Sequence, residues 1–139
     1  MIFQPEHCDW IVQGDKTQTR RAVKPGETRF GAISFGETET LCVRHPDGRT
    51  KWKVGGRYGV QTGFGFPATA WFKVTDIRQE RLQDISPEDV IEEGFGVWQG
   101  DYHQADVAAF SDAWDAIYAG QPECQWDANP LVWVLVFEV

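Results

Sequence analysis

The pattern of apolar and polar positions is clearest at the end of the chain. Residues 131–139, LVWVLVFEV, are apolar on both alternating faces. Two apolar faces predict a central strand covered from both sides of its sheet. Residues 68–77 alternate, with Trp71, Lys73 and Thr75 on one face and Phe72, Val74 and Asp76 on the other, and read as a long strand. Residues 106–118 place Val107, Phe110, Trp114, Ile117 and Tyr118 at helical spacing, one face of an amphipathic helix. A shorter helix is predicted over 6–13, after Pro5, with Gly14 closing it. Another begins at Ser86-Pro87, an N-cap followed by proline at the first helical position, and ends at Gly94. Strands are predicted over 1–3, 17–23 and 57–61, and loops over 62–67 and 95–104. Between them, 25–52 is polar and dotted with glycine. It reads as an insertion in which 32–35 pairs with 40–43 and a turn at 45–48 precedes a strand at 50–53. Several strands, three short helices and a two-sided final strand predict an α+β fold, a small curled sheet or β-barrel with helices at its mouth.

Composition adds bounds to this picture. The chain has 139 residues, 42% of them apolar, with seven Trp, nine Phe and three Tyr. That is one domain's worth, 1–139, and enough apolar mass for a core without metal or disulfide staples. No run of eighteen apolar residues predicts a membrane span, and no cationic head with an apolar block marks the start. Cys8, Cys42 and Cys124 are odd in number and far apart, which fits reduced thiols and a cytoplasmic location. The net charge of −8 is uneven: residues 1–60 hold ten Lys/Arg against seven Asp/Glu, and residues 61–139 hold three against fourteen. A protein this acidic is not expected to coat nucleic acid non-specifically. A local basic patch can still hold one nucleotide or a short single strand.

Such a patch exists at residues 14–21, GDKTQTRR. In an extended segment Thr17, Thr19 and Arg21 share one face, while Gln18 and Arg20 take the other and Arg20 looks away. Lys16 stands at the loop-to-strand junction. A threonine hydroxyl needs a base to become a nucleophile, and a lysine whose pKa is lowered by burial can be that base. Arg21 can clamp a phosphate or carboxylate. The plainer reading is an exposed edge strand whose cations discourage aggregation. Glu93 lies at the end of the second helix, the unfavourable end of the helix dipole for a carboxylate, a setting that suits a proton shuttle. Its plainer reading is a solvated helix end. The loop Gly63-Phe64-Gly65-Phe66-Pro67 lets a ligand approach closely and offers Phe64 and Phe66 for stacking on a base, or is simply a turn with packed aromatics. His7, His45 and His103 are isolated and show no metal-ligand spacing. No metal and no cofactor is expected.

Gly14-x-Lys16-x-x-Thr19-x-Arg21 resembles the GxKxxExR signature of ASCH domains, a branch of the PUA-like superfamily. Residues 81–94, RLQDISPEDVIEEG, and 126–138, WDANPLVWVLVFE, are similar to the corresponding segments of phage and prophage members. The resemblance covers most of the chain and is weakest over 25–52. It implies a PUA-like curled β-barrel with short helices around a cleft, and RNA or a modified nucleotide as partner. Thr19 stands where many ASCH domains carry Glu. The Lys-Thr-x-Thr-x-Arg arrangement instead resembles the bacterial acetylcytidine amidohydrolase branch. That likeness implies Lys16 as base, Thr19 as nucleophile and Glu93 as proton shuttle. The expectation is therefore a binding cleft of Lys16, Thr19, Arg21 and Glu93, with Phe64 or Phe66 stacking. An N-acylated nucleoside amidohydrolase is the alternative, and a ribonuclease the second alternative.

Overall fold

The last strand organises the sheet, as its two apolar faces predict. In the computed structural model, which describes residues 1–31, 33–34, 37–38 and 41–139, the chain runs α1 (Pro5–Gln13), β1 (Gln18–Ala22), β2 (Thr28–Phe30), β3 (Ile33–Ser34), β4 (Glu37–Thr38), β5 (Cys42–Arg44), β6 (Thr50–Lys53), β7 (Arg57–Val60), β8 (Ala70–Arg81), α2 (Pro87–Glu92), β9 (Gly96–Gln99), β10 (Tyr102–Ala105), α3 (Val107–Ile117) and β11 (Leu131–Glu138). The main sheet has the order β1-β11-β8-β7, with antiparallel pairing throughout. Trp133, Leu135 and Phe137 of β11 join one buried cluster with Ile11 of α1, Val43 and Trp52 of β5 and β6, and Phe72 of β8. Val132 and Val134 join another with Val90 of α2 and Phe110 and Trp114 of α3. Each large apolar side chain fully withdrawn from water here contributes about 1.5–3 kcal/mol.

The fold is mixed, mostly sheet with a few short helices. The described strands fall into four separate sheets and do not close into a barrel. Helix starts follow local chemistry. Ser86 Oγ accepts from Asp89 N–H at 3.1 Å, and Asp106 Oδ1 accepts from Ala109 N–H at 3.0 Å. Gly14 ends α1 in the left-handed conformation at φ 84°. Residues 95–104, expected as a loop, instead contain the β9–β10 hairpin, with Trp98 paired to His103. Their side chains are mostly exposed, so no apolar face marked them as strands. The strand expected over 1–3 is reduced to a single parallel bridge, Ile2 to Gln61. β8 runs four residues beyond 77, to Arg81, because β11 supplies a partner along its whole length.

The expected pairing of 32–35 with 40–43 passes through residues outside those described. What is described is Ile33–Ser34 against Glu37–Thr38, and β5 between β2 and β6. This insertion is pinned to the main sheet by Glu27, whose buried carboxylate accepts from Lys51 Nζ at 2.6 Å, Lys24 N–H at 2.8 Å and Trp133 Nε1 at 3.2 Å. Burial alone pushes the Glu27 carboxyl up, but these bonds outweigh it and hold the group below its usual range.

Candidate functional site

β1 is an edge strand of its sheet, yet it is not exposed. Gln18, Thr19 and Arg20 are all buried, Gln18 and Arg20 through bonds to Asp89 of α2 and Thr19 beside residues of α1 and α3. Between them lies a cleft of about 250 Å³ whose walls include Phe3, His7, Phe95, Phe110, Trp114 and Tyr118. Lys16, Thr19, Arg20, Arg21 and Glu93 also line it. The sequence therefore brings Lys16, Thr19, Arg21 and Glu93 to one place, and the basic stretch is not an exposed edge. Phe64 and Phe66 do not line the cleft. They are 96% and 60% exposed on the loop that follows Thr62, itself at the cleft wall.

The position of Lys16 follows from the turn after α1. Asp15 N–H and Lys16 N–H both donate to Trp10 O, at 2.8 and 3.2 Å. Lys16 thus precedes the strand, and the alternation that would set it opposite Thr19 does not reach it. Its ammonium donates to Glu93 Oε2 at 2.6 Å and to the Glu93 carbonyl at 2.9 Å. Thr17 N–H donates to Glu92 O at 2.7 Å, which stitches the start of β1 to the end of α2. Glu93 caps that helix in a helical conformation. Gly94 then takes φ 100° with the Trp10 indole where a side chain would stand, so the chain turns away and leaves the carboxylate facing the lysine. Glu93 is no solvated helix end, being 3% exposed.

Arg20, expected to look away from the site, instead bonds Glu93 and borders the cleft. Strand alternation does turn it to the face opposite Thr19, but that face is covered by α2, not by water. Its side chain is fully buried. Nη1 donates to Glu93 Oε1 at 3.0 Å and to Gln18 Oε1 at 3.0 Å, and Nη2 to Glu80 Oε1 at 2.5 Å and Asp89 Oδ2 at 3.1 Å. Arg78 completes the network at Asp89, 2.7 Å away. The cluster holds three cations, Lys16, Arg20 and Arg78, and three carboxylates, Glu80, Asp89 and Glu93, of which Lys16, Arg20 and Glu93 are buried and the others half-buried. Unpaired charges cannot be buried at tolerable cost, and every charge of this set faces an opposite one, with only Arg20 Nε of its buried atoms left without a hydrogen-bond partner. The signal that could have located Arg20 is the acidic spacing Asp89–Glu93 on α2, four residues apart on one helix face.

The remaining groups are donors. Arg21 Nη2 donates to Ile2 O at 2.8 Å, and the guanidinium lies 4.9 Å from the centre of the Phe3 ring. Among the described residues it has no carboxylate partner, and burial lowers its pKa below the usual arginine value. Burial likewise pushes the Lys16 ammonium below the lysine range, with Arg21 and Arg20 acting the same way against the pull of Glu93. The Thr19 hydroxyl makes no hydrogen bond among the described residues. Tyr118 Oη accepts from Ala22 N–H at 2.9 Å. His7 stacks on Trp10 with ring centres 4.5 Å apart. Burial, helped by Lys16, lowers its pKa to about 4, so it is neutral at pH 7. Alone in sequence, His7 had no partner to mark it.

Among the described residues no group of three His, Cys, Asp or Glu is placed to hold a metal ion. No described helix is long and apolar enough to cross a membrane. Comparison with protein-family models, with curated proteins and with solved structures gives no match.

Proposed function

We propose that the cleft binds one nucleotide-sized ligand, a modified nucleoside or nucleotide, free or as one residue of an RNA. The observation that carries this reading is an aromatic cleft of about 250 Å³ whose polar groups are mostly donors. Both Glu93 oxygens already accept from cations, whereas the third N–H of Lys16, the Thr19 hydroxyl and Arg21 are left for a ligand. Such a cleft suits a planar base rich in carbonyl acceptors, with an anionic group on Arg21. Anion binding falls to Arg21, since Lys16 is committed to Glu93. The likeness of residues 14–21 to the ASCH signature, and the PUA-like cleft that likeness implies, point the same way. A thermal-shift panel of modified nucleosides and their 5′-monophosphates tests it. Stabilisation by at least one monophosphate, lost in Arg21→Ala, is expected. No stabilisation by any member, or a full response in Lys16→Ala with Arg21→Ala, refutes the reading.

A second reading, amidohydrolysis of an N-acylated nucleoside, is favoured by the unbonded Thr19 hydroxyl in the same cleft as the Lys16–Glu93 pair. With the proton of the Lys16–Glu93 pair on the carboxyl, Thr19 Oγ adds to the acyl carbon while the Lys16 amine takes its proton. Glu93 gives its own proton to the departing amine as the C–N bond breaks, which restores the ion pair. Water then cleaves the acyl-threonine and restores the hydroxyl. Acetylcytidine incubated with the protein should yield cytidine and acetate, and Thr19→Ala should yield neither. Turnover undiminished in Thr19→Ala rules this mechanism out.

A further inference from the structure

The Glu93 carboxylate is shared: Lys16, from the turn before β1, holds one oxygen, and Arg20, from the strand itself, holds the other. We infer that Arg20 is the positioning residue of the cleft: its guanidinium fixes the Glu93 carboxylate, and through it the direction of the Lys16 amine. This inference rests on the cleft being the ligand site.

The geometry leaves little choice. A carboxylate on a single C–C bond can rotate, and one cation on one oxygen does not stop it. A planar guanidinium that is itself held does. Arg20 is clamped at four acceptors, Gln18, Glu80, Asp89 and Glu93, and cannot follow a rotating Glu93. With Glu93 fixed, two of the three Lys16 N–H groups are taken by the Glu93 carboxylate and carbonyl. The third is then directed by tetrahedral geometry alone. Lysine at position 20 would keep the charge but lose the fork.

The charged and titratable groups around the Lys16 amine are Glu93 from α2, Arg20 and Arg21 from β1 and His7 from α1. Behind Glu93 stand Glu80 and Arg78 of β8 and Asp89 of α2. Tyr118 of α3 faces Arg21. Removing the Arg20 charge leaves Glu93 wholly to Lys16 and removes a cation near the amine, so the amine should hold its proton to higher pH.

The experiment is a pH titration by NMR of protein carrying 13C at the lysine ε-carbons. The chain has five lysines, and Lys16 is the buried one. Arg20→Gln is expected to move the Lys16 midpoint upward and to weaken binding of the monophosphate found by thermal shift about tenfold or more, the loss of one charge-assisted hydrogen bond. Arg20→Lys is expected to restore the midpoint but only part of the affinity, with the Lys16 ε-signal still displaced. A merely structural Arg20 would lower the melting temperature and leave the Lys16 signal and midpoint at wild-type values, which would overturn the inference. If Arg20→Gln does not fold, Arg20→Lys decides: a wild-type ε-signal overturns it and a displaced one supports it. A wild-type protein that binds no nucleotide refutes the proposed function, while the Lys16 signal still reads the role of Arg20.

Discussion

His7 carries the clearest pH consequence at the scale of single residues. Its ring is packed between Trp10, stacked at 4.5 Å, and the edge of Phe95 at 5.8 Å. Burial and the nearby Lys16 lower its pKa from 6.5 to about 4. The unfolded chain therefore takes up a proton below about pH 6.5 that the folded protein refuses until about pH 4. Stability falls as the pH drops through that window. His7→Phe keeps an aromatic ring and removes the titration. Urea denaturation of the variant should show a flatter stability profile between pH 6.5 and 4 than the wild type, and identical slopes would contradict the assignment. Glu27 and Asp89, both held below their ordinary values of 4.5 and 3.8, weaken the fold as the pH falls through and below those values, so the upper part of the window, above about pH 5, reads His7 alone. Among the site residues, Lys16, Thr19, Arg21 and Glu93 were legible because their residue types are chemically suggestive and sit in one short stretch or at a helix end. Arg20 was not. A period of two says which face a side chain takes, but not whether that face meets water or a helix seventy residues away in sequence.

At the scale of elements, the end of α2 sets the site. Gly94 adopts φ 100°, and a Cβ there would stand 2.6 Å from Trp10 Cε3. Gly94→Ala meets both left-handed strain and a clash with a packed indole. It should cost at least about 2 kcal/mol, read by denaturation, and should also displace Glu93, so that nucleotide binding falls with it. Ser86→Ala, at the other end of the same helix, removes one cap bond and should cost about 1 kcal/mol with binding little changed. The contrast between the two checks that it is the C-terminal turn which positions the carboxylate. Helix ends were legible in sequence because serine, proline and glycine act locally. The β9–β10 hairpin was not, since its exposed side chains leave no apolar period. The closure of the sheet into a barrel, expected from the strand and helix pattern and from the ASCH likeness, is absent among the described strands, because the insertion strands pair with one another instead of with β1 or β7.

At the scale of the molecule, a net charge of −8 surrounds a cleft with three cations, of which Lys16 is paired with Glu93 and Arg20 with Glu93, Glu80 and Asp89. One cation, Arg21, remains for phosphate. Binding of a single-stranded oligonucleotide should therefore show a logarithmic salt slope of about −0.7, one phosphate's worth, and no gain with strand length. A slope several times steeper would mean that a strand runs along the surface. The two-sided apolar pattern of β11 made its central place legible from sequence, and that place has a further consequence. β11 is bonded on both sides, to β1 and β8, and its residues 132–135 are completely inaccessible. Its amides should be among the last in the protein to exchange with deuterium. Because Thr19, Arg20 and Arg21 pair directly with Leu135, Val134 and Trp133, one wall of the cleft inherits that protection. Any breathing that admits a ligand must then come from α1 or α3, whose amides should exchange faster and should slow when the cleft is filled.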